Sequence, residues 1–164
     1  MATTKNEELF KHILGSKIFS NWHYYSYHFG FFSKDFAHPF AKSIVDTCIA
    51  CDDKLPGFAK KFIDAIASIS GREKYKPHYE QLLQRVAELH IINRLLTYDW
   101  PFDPTFNWEP TTKESKKNPE LTIEGGPKTL GIEVKAPSLL SHIKQRQSNP
   151  TQLSVRFLSK EQIA

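Results

Sequence analysis

A chain of 164 residues and 18.9 kDa is one domain, or one domain with a helical extension, and is short for two. Hydrophobic residues at 40%, charged residues at 24%, and 12 Phe, 6 Tyr and 3 Trp exclude a disordered or collagen-like chain. The net charge of +4, with three of the four charges after Ser70, permits nucleic acid as a partner without requiring it. No apolar run approaches the ~18 residues of a spanning helix, Met1–Lys11 does not read as a secretory leader, and Cys48 and Cys51 are too few for a disulfide framework, so a cytoplasmic protein with no membrane partner is expected.

Taken in chain order, Glu7–Leu14, Phe40–Cys51 and Phe58–Ile69 repeat apolar residues at helical spacing, with breaks at Pro39 and at Pro56-Gly57. Between the first two lies Trp22–Phe40, which crowds nine aromatic residues beside His23, His28 and His38. Such a passage reads either as a stacking surface or, more simply, as the core of a small helical region. Cys48 and Cys51 form a CxxC pair, but no second ligand pair at a matching spacing completes a zinc site. Gly71 marks a soft boundary between a helical region, 1–71, and a second region, 72–164, of different texture.

That second region opens on the strongest helical pattern in the chain, with Pro77 in the first turn and Tyr79, Leu82, Leu83, Val86, Leu89 and Leu96 on one face. A short strand at Thr105–Glu109 and a polar loop at Thr111–Asn118, carrying Lys113, Lys116 and Lys117, come next. The spacing then predicts strands over Pro119–Glu124 and Leu130–Lys135, a helix over Pro137–Gln147 and a last strand over Gln152–Leu158. The order is helix, three strands, helix, strand.

Gly125-Gly126-Pro127-Lys128 supplies the residues of a four-residue hairpin turn. If that loop is symmetric, Ile123 pairs with Leu130, Thr122 with Gly131, Leu121 with Ile132, and Glu120 with Glu133. Alternation then puts Leu121, Ile123, Leu130, Ile132 and Val134 on a core face. Glu120, Thr122, Gly131, Glu133 and Lys135 share the other. Two carboxylates facing each other across a ladder repel, and a hard divalent cation such as Mg²⁺ or Mn²⁺ answers the repulsion. Two acids, a cation and a lysine are the parts of phosphodiester hydrolysis; the plainer alternative is a surface hairpin with a charged outer face.

Pro119-Glu120, twelve residues, then Glu133-Val134-Lys135 preceded by apolar Leu130-Gly131-Ile132 resembles the signature of the PD-(D/E)XK nuclease superfamily, and the element order after Pro77 is similar to that of its restriction-endonuclease-like core. The resemblance covers about the last 85 residues. It implies an α/β fold in which a helix, a three-strand meander, a helix and a strand form the core, with the N-terminal α-helical region appended. By the same resemblance Glu120 and Glu133 are metal-binding carboxylates, the Val134 carbonyl is a further ligand, and Lys135 is the catalytic lysine. The family's first acid is usually Asp, and Glu120 is longer by one methylene. The family often adds a glutamate from the preceding helix, for which Glu88 is chosen over Glu80, since Ile91, Ile92 and Leu95 surround Glu88 while Glu80 lies among Gln81 and Gln84. Ser138, His142, Lys144, Arg146 and Gln152, with Lys116 and Lys117 of the loop, are the candidates for contacting substrate phosphates.

The expected function is therefore a Mg²⁺- or Mn²⁺-dependent endonuclease or exonuclease, acting on DNA rather than RNA. The rival expectation is a non-catalytic module on the same scaffold, binding nucleic acid or a protein partner. A second copy of the chain, further domains and a partner subunit stay open as additional partners.

Overall fold

The computed structural model describes residues 4–30, 38–69, 76–109 and 119–148. The strand expected at Gln152–Leu158, the lysine loop at Thr111–Asn118, the boundary at Gly71 and Phe31, Phe32 and Phe36 of the aromatic passage lie outside these residues.

The first helix, α1 (Lys5–Leu14), starts two residues earlier than the apolar pattern indicates, because Thr4 and Glu7 form a reciprocal capping box. Two short helices that periodicity is too brief to show, α2 (Lys17–Ser20) and α3 (Ser26–Gly30), follow. The helices α4 (Pro39–Asp52) and α5 (Phe58–Ser68) lie where the apolar spacing places them. Both bury one stripe: Ile44, Val45, Cys48 and Cys51 from α4, and Phe58, Phe62, Ile63 and Ile66 from α5. Each large side chain buried in this way contributes roughly 1.5–3 kcal/mol of transfer free energy. The tight turn before α5 uses Gly57 at φ +84°, where the missing Cβ removes the left-handed penalty.

The aromatic passage resolves by residue. His23, Tyr25 and Phe29 are buried, Trp22 and Tyr27 are exposed, and Tyr24 links Trp22 to Tyr79 through ring contacts at 4.6 and 5.2 Å. Cys48 and Cys51 sit inside the core. Burial pushes the Cys48 thiol well up, and burial with the nearby Asp52 carboxylate pushes Cys51 up to about 12, which disfavours the thiolate that zinc requires.

The long helix α6 (Lys76–Leu96) buries Leu82, Leu89, Ile92 and Leu96 against α4. Its last turn is held by side chains from elsewhere: Trp100 Nε1 donates to Leu95 O at 2.9 Å and Lys54 Nζ to Leu96 O at 2.7 Å. These bonds satisfy carbonyls that the helix itself leaves open. Three strands, β1 (Thr105–Trp108), β2 (Leu121–Glu124) and β3 (Leu130–Ile132), form an antiparallel meander in the order β1-β2-β3. Trp108 meets Phe58 edge to face at 4.6 Å and ties the sheet to α5. Leu121 and Ile123 of the central strand join the same buried cluster as α1, α4, α5 and α6, so helices from both sides of Gly71 share one core. The helix α7 (Leu139–Ser148) packs beside α6. The chain is thus a mixed α/β protein.

The hairpin register is Leu121 opposite Ile132, Thr122 opposite Gly131 and Ile123 opposite Leu130, as the symmetric loop predicts. Two details differ. The ladder ends at Ile132, and the Glu120 N–H donates to Ile132 O at 2.9 Å, so Glu120 and Glu133 are not a ladder pair. Leu130, assigned to the core face, is 40% exposed, because among the described residues β3 is paired on one side only and nothing covers its start.

Candidate functional site

The stretch after β3 keeps the alternation of a strand. Ile132, Val134 and Ala136 are half-buried, while Glu133 and Lys135 are exposed and ion-paired to each other at 3.2 Å. Val134 occupies the centre of the arrangement, since both sides of its backbone are held by side chains. Its N–H donates to Glu120 Oε2 at 3.0 Å. Its carbonyl accepts from Gln84 Nε2 at 2.6 Å.

Gln84 comes from the middle of α6 and mimics an adjoining strand, because its Oε1 also accepts from the Ala136 N–H at 2.5 Å. Donor and acceptor of one amide thus pair with the backbone of residues 134 and 136. The remaining Nε2 hydrogen goes to Glu88 Oε1 at 3.1 Å, one helical turn further along. Glu88 is buried, with 6% exposure, and its other oxygen accepts from Arg85 Nη1 at 2.7 Å. Arg85 also reaches Glu109 Oε1 at 3.8 Å, at the end of β1. Glu88 is covered by Arg85 and Gln84 rather than by Ile91, which is 44% exposed.

A cleft of about 670 Å³ opens against these groups, walled by Ala65, Ser68 and Ile69 of the α5 end, by Glu80, Gln81, Gln84, Arg85 and Glu88 of α6, and by Ala136 and Ser138. Glu80, expected to be solvated, is half-buried in this wall, and its Oε1 is inaccessible with no hydrogen-bond partner. Ser138 is exposed at the cleft edge, where its Oγ accepts from the Ser141 N–H at 3.2 Å and starts α7. His142, Lys144 and Arg146 are exposed along α7. Lys116, Lys117 and Gln152 lie outside the described residues.

Of the sequence candidates, the structure sets Glu120 on the Val134 N–H, links Glu88 to the Val134 carbonyl through Gln84, and leaves Glu133 and Lys135 as a separate exposed pair. Carboxylate and carbonyl oxygens are what Mg²⁺ or Mn²⁺ takes, but only Glu88 Oε1 and Val134 O converge on one point, which the Gln84 amide nitrogen holds, and Arg85 is paired to the other oxygen of Glu88. Among the described residues, no three His, Cys, Asp or Glu side chains are grouped closely enough to hold a metal ion. Gln84 and Arg85 were not among the sequence candidates. The local signal for them is their helical spacing from Glu88, at i−4 and i−3, but the contacts with Val134 and Ala136 span about fifty residues.

Compared with protein-family models, with curated proteins and with solved structures, the chain matches none of them.

Proposed function

We propose that this chain is a metal-dependent nuclease core that hydrolyses phosphodiester bonds, with DNA preferred over RNA. The observation that carries this reading is the Val134 peptide at the centre of the Glu133-Val134-Lys135 motif: Glu120 takes its N–H, and Glu88 reaches its carbonyl through Gln84. Glu120 and Glu133, helped by Glu88 and the Val134 carbonyl, would hold Mg²⁺ or Mn²⁺, which would polarise a phosphate oxygen and acidify a water. Lys135 positions the attacking water or stabilises developing charge, and Glu133 at 3.2 Å holds the ammonium near the motif. Lys144 and Arg146 on α7, with Ser138 at the cleft edge, supply phosphate contacts, so binding weakens steeply as salt rises.

The test is incubation with supercoiled plasmid, single-stranded DNA and structured RNA, in Mg²⁺ and in Mn²⁺, beside Glu133→Ala and Lys135→Ala. Each variant should lose roughly 10²-fold or more in rate. Activity retained by both variants overturns the assignment. A second reading, a non-catalytic module that binds nucleic acid or a protein, is favoured by one observation: the donor oxygens of Glu88 and Val134 are already engaged by Gln84. A folded chain that cuts nothing and whose melting temperature ignores Mg²⁺ and Mn²⁺ would decide for it.

A further inference from the structure

We propose that the free edge of β1 is a docking site for an extended acidic peptide, which adds a strand to the sheet along the groove between β1 and the start of α5. The ladder decides which backbone groups are open. Thr105 faces Glu124, Asn107 faces Thr122, and the Glu109 N–H donates to Glu120 O at 2.8 Å. Antiparallel strands turn their backbone groups to the partner at every second residue, so Thr105, Asn107 and Glu109 serve β2, and the N–H and C=O of Phe106 and Trp108 point the other way. Among the described residues β1 ends the sheet, so these four groups have no strand to pair with. The strand itself, Thr-Phe-Asn-Trp, carries neither the charge nor the proline that commonly blunts an exposed edge.

The edge opens into a groove of about 520 Å³ that shares no residue with the cleft beside Glu88. Its far wall is the turn at residues 54–56, with Phe58 and Lys61 of α5. Charge selects the occupant. Every second side chain of an added strand points to the side on which Trp108 meets Phe58, and Lys54 and Lys61 stand exposed on that side. Lys54 Nζ is fixed by Leu96 O at 2.7 Å, lies 5.8 Å from the centre of the Phe106 ring, and keeps two further hydrogens to give. The acid in the groove, Glu109, lies 3.8 Å from Arg85 and sits at φ +46°, where the chain turns out of the strand. Carboxylates on alternate residues of the added strand therefore meet two lysines. Lysines and aromatic rings alone would also suit a nucleic acid, but open backbone donors and acceptors in register are used in full only by another strand.

The experiment follows the backbone amides of the isotope-labelled full chain by nuclear magnetic resonance. The probe is a pool of eight-residue peptides with Asp at every second position and Val, Ile, Thr or Ser at the others. The controls are the same pool with Lys in place of Asp, and a single-stranded oligothymidine. At millimolar concentration the acidic pool should slow exchange of the Phe106 and Trp108 amides with water by about tenfold, and leave Asn107, already bonded in the ladder, unchanged. Lys61→Glu should weaken that binding about tenfold, whereas Lys60→Glu, an exposed lysine outside the groove, should not. An acidic pool that leaves the two amides unprotected overturns the proposal, as does equal protection by the lysine pool. Binding that Lys61→Glu leaves unchanged removes the acidic partner. Protection by the oligothymidine and not by the peptides assigns the groove to nucleic acid and overturns the proposal as well.

Discussion

The pairing of Arg85 with Glu88 can be weighed by a double-mutant cycle, because the two partners differ in what each retains when the other is removed. Glu88 has 8% of its side chain exposed, and Arg85 has 34%. Truncating Arg85 to Ala leaves a buried carboxylate with a single donor, Gln84 Nε2. A broken buried pair costs about 3–5 kcal/mol, but the surviving Gln84 bond and water entering from the cleft reduce this to about 2 kcal/mol. Glu88→Gln leaves Arg85 with solvent and Glu109 at 3.8 Å, and should cost about 1 kcal/mol. In the double variant the uncompensated charge is gone, so the total should be about 2 kcal/mol rather than 3, a coupling of about 1 kcal/mol. Urea denaturation of the four proteins at pH 7, with metal chelated, measures it. Effects that add to within about 0.3 kcal/mol would refute the claim that Glu88 is held by Arg85.

Two further predictions come from other parts of the fold. His23 is buried, with Nε2 donating to Ile66 O at 2.9 Å and Nδ1 accepting from the Tyr25 N–H at 3.0 Å, so the neutral ring is required and burial lowers its pKa below the ordinary 6.5. His28 shifts the same way, through burial and then the neighbouring His38. The unfolded chain then binds these protons more readily, and stability is full above about pH 6.5 and falls below it, by at most ~1.4 kcal/mol per pH unit for each group. Melting temperatures from pH 7.5 to 5.5 should show that fall, with a smaller slope in His23→Gln, which can donate and accept without titrating; an unchanged slope would clear His23. At the hairpin, Gly125 has φ +106° and a Cβ there would lie 2.2 Å from Asp103 O, whereas Gly57 at φ +84° has nothing within 4 Å. Gly125→Ala should therefore cost about 3 kcal/mol against about 1 for Gly57→Ala, or roughly 6–12 °C against 2–4 °C in melting temperature, and equal shifts would contradict the clash.

Much of the architecture is legible in local patterns, since helical apolar spacing and a Gly-Gly turn act over a few residues. The apolar stripes of α4, α5 and α6 and the register that sets Thr122 opposite Gly131 follow from such short-range rules. What the patterns miss depends on which element covers which. Leu130 alternates as a core residue yet stands on a strand that, among the described residues, is paired on one side only, and Glu80 sits in a polar run yet lines a cleft beside the end of α5. Capping shows the same limit at short range, because α1 begins where Thr4 and Glu7 close on each other rather than where apolar residues begin.

The candidate site divides along the same line, and the division bears on what the site does. Glu120, Glu133 and Lys135 are visible because a short hairpin and an EVK motif are local, but whether two acids meet is decided by how the chain leaves β3. Ladder pairing would have faced Glu120 with Glu133; instead Glu120 turns its carboxylate onto the Val134 N–H, and Glu133 pairs outward with Lys135. Glu88 is tied to the carbonyl of the same residue, and a glutamine intervenes. A carboxylate at position 84 would make a third oxygen at the point where Glu88 and Val134 converge, whereas the amide present there satisfies both without an ion. With the amide those two oxygens are satisfied without an ion, so a nuclease and a scaffold part company on the parent chain itself: a melting temperature that rises with Mn²⁺ favours the nuclease, and one that stays flat favours the scaffold.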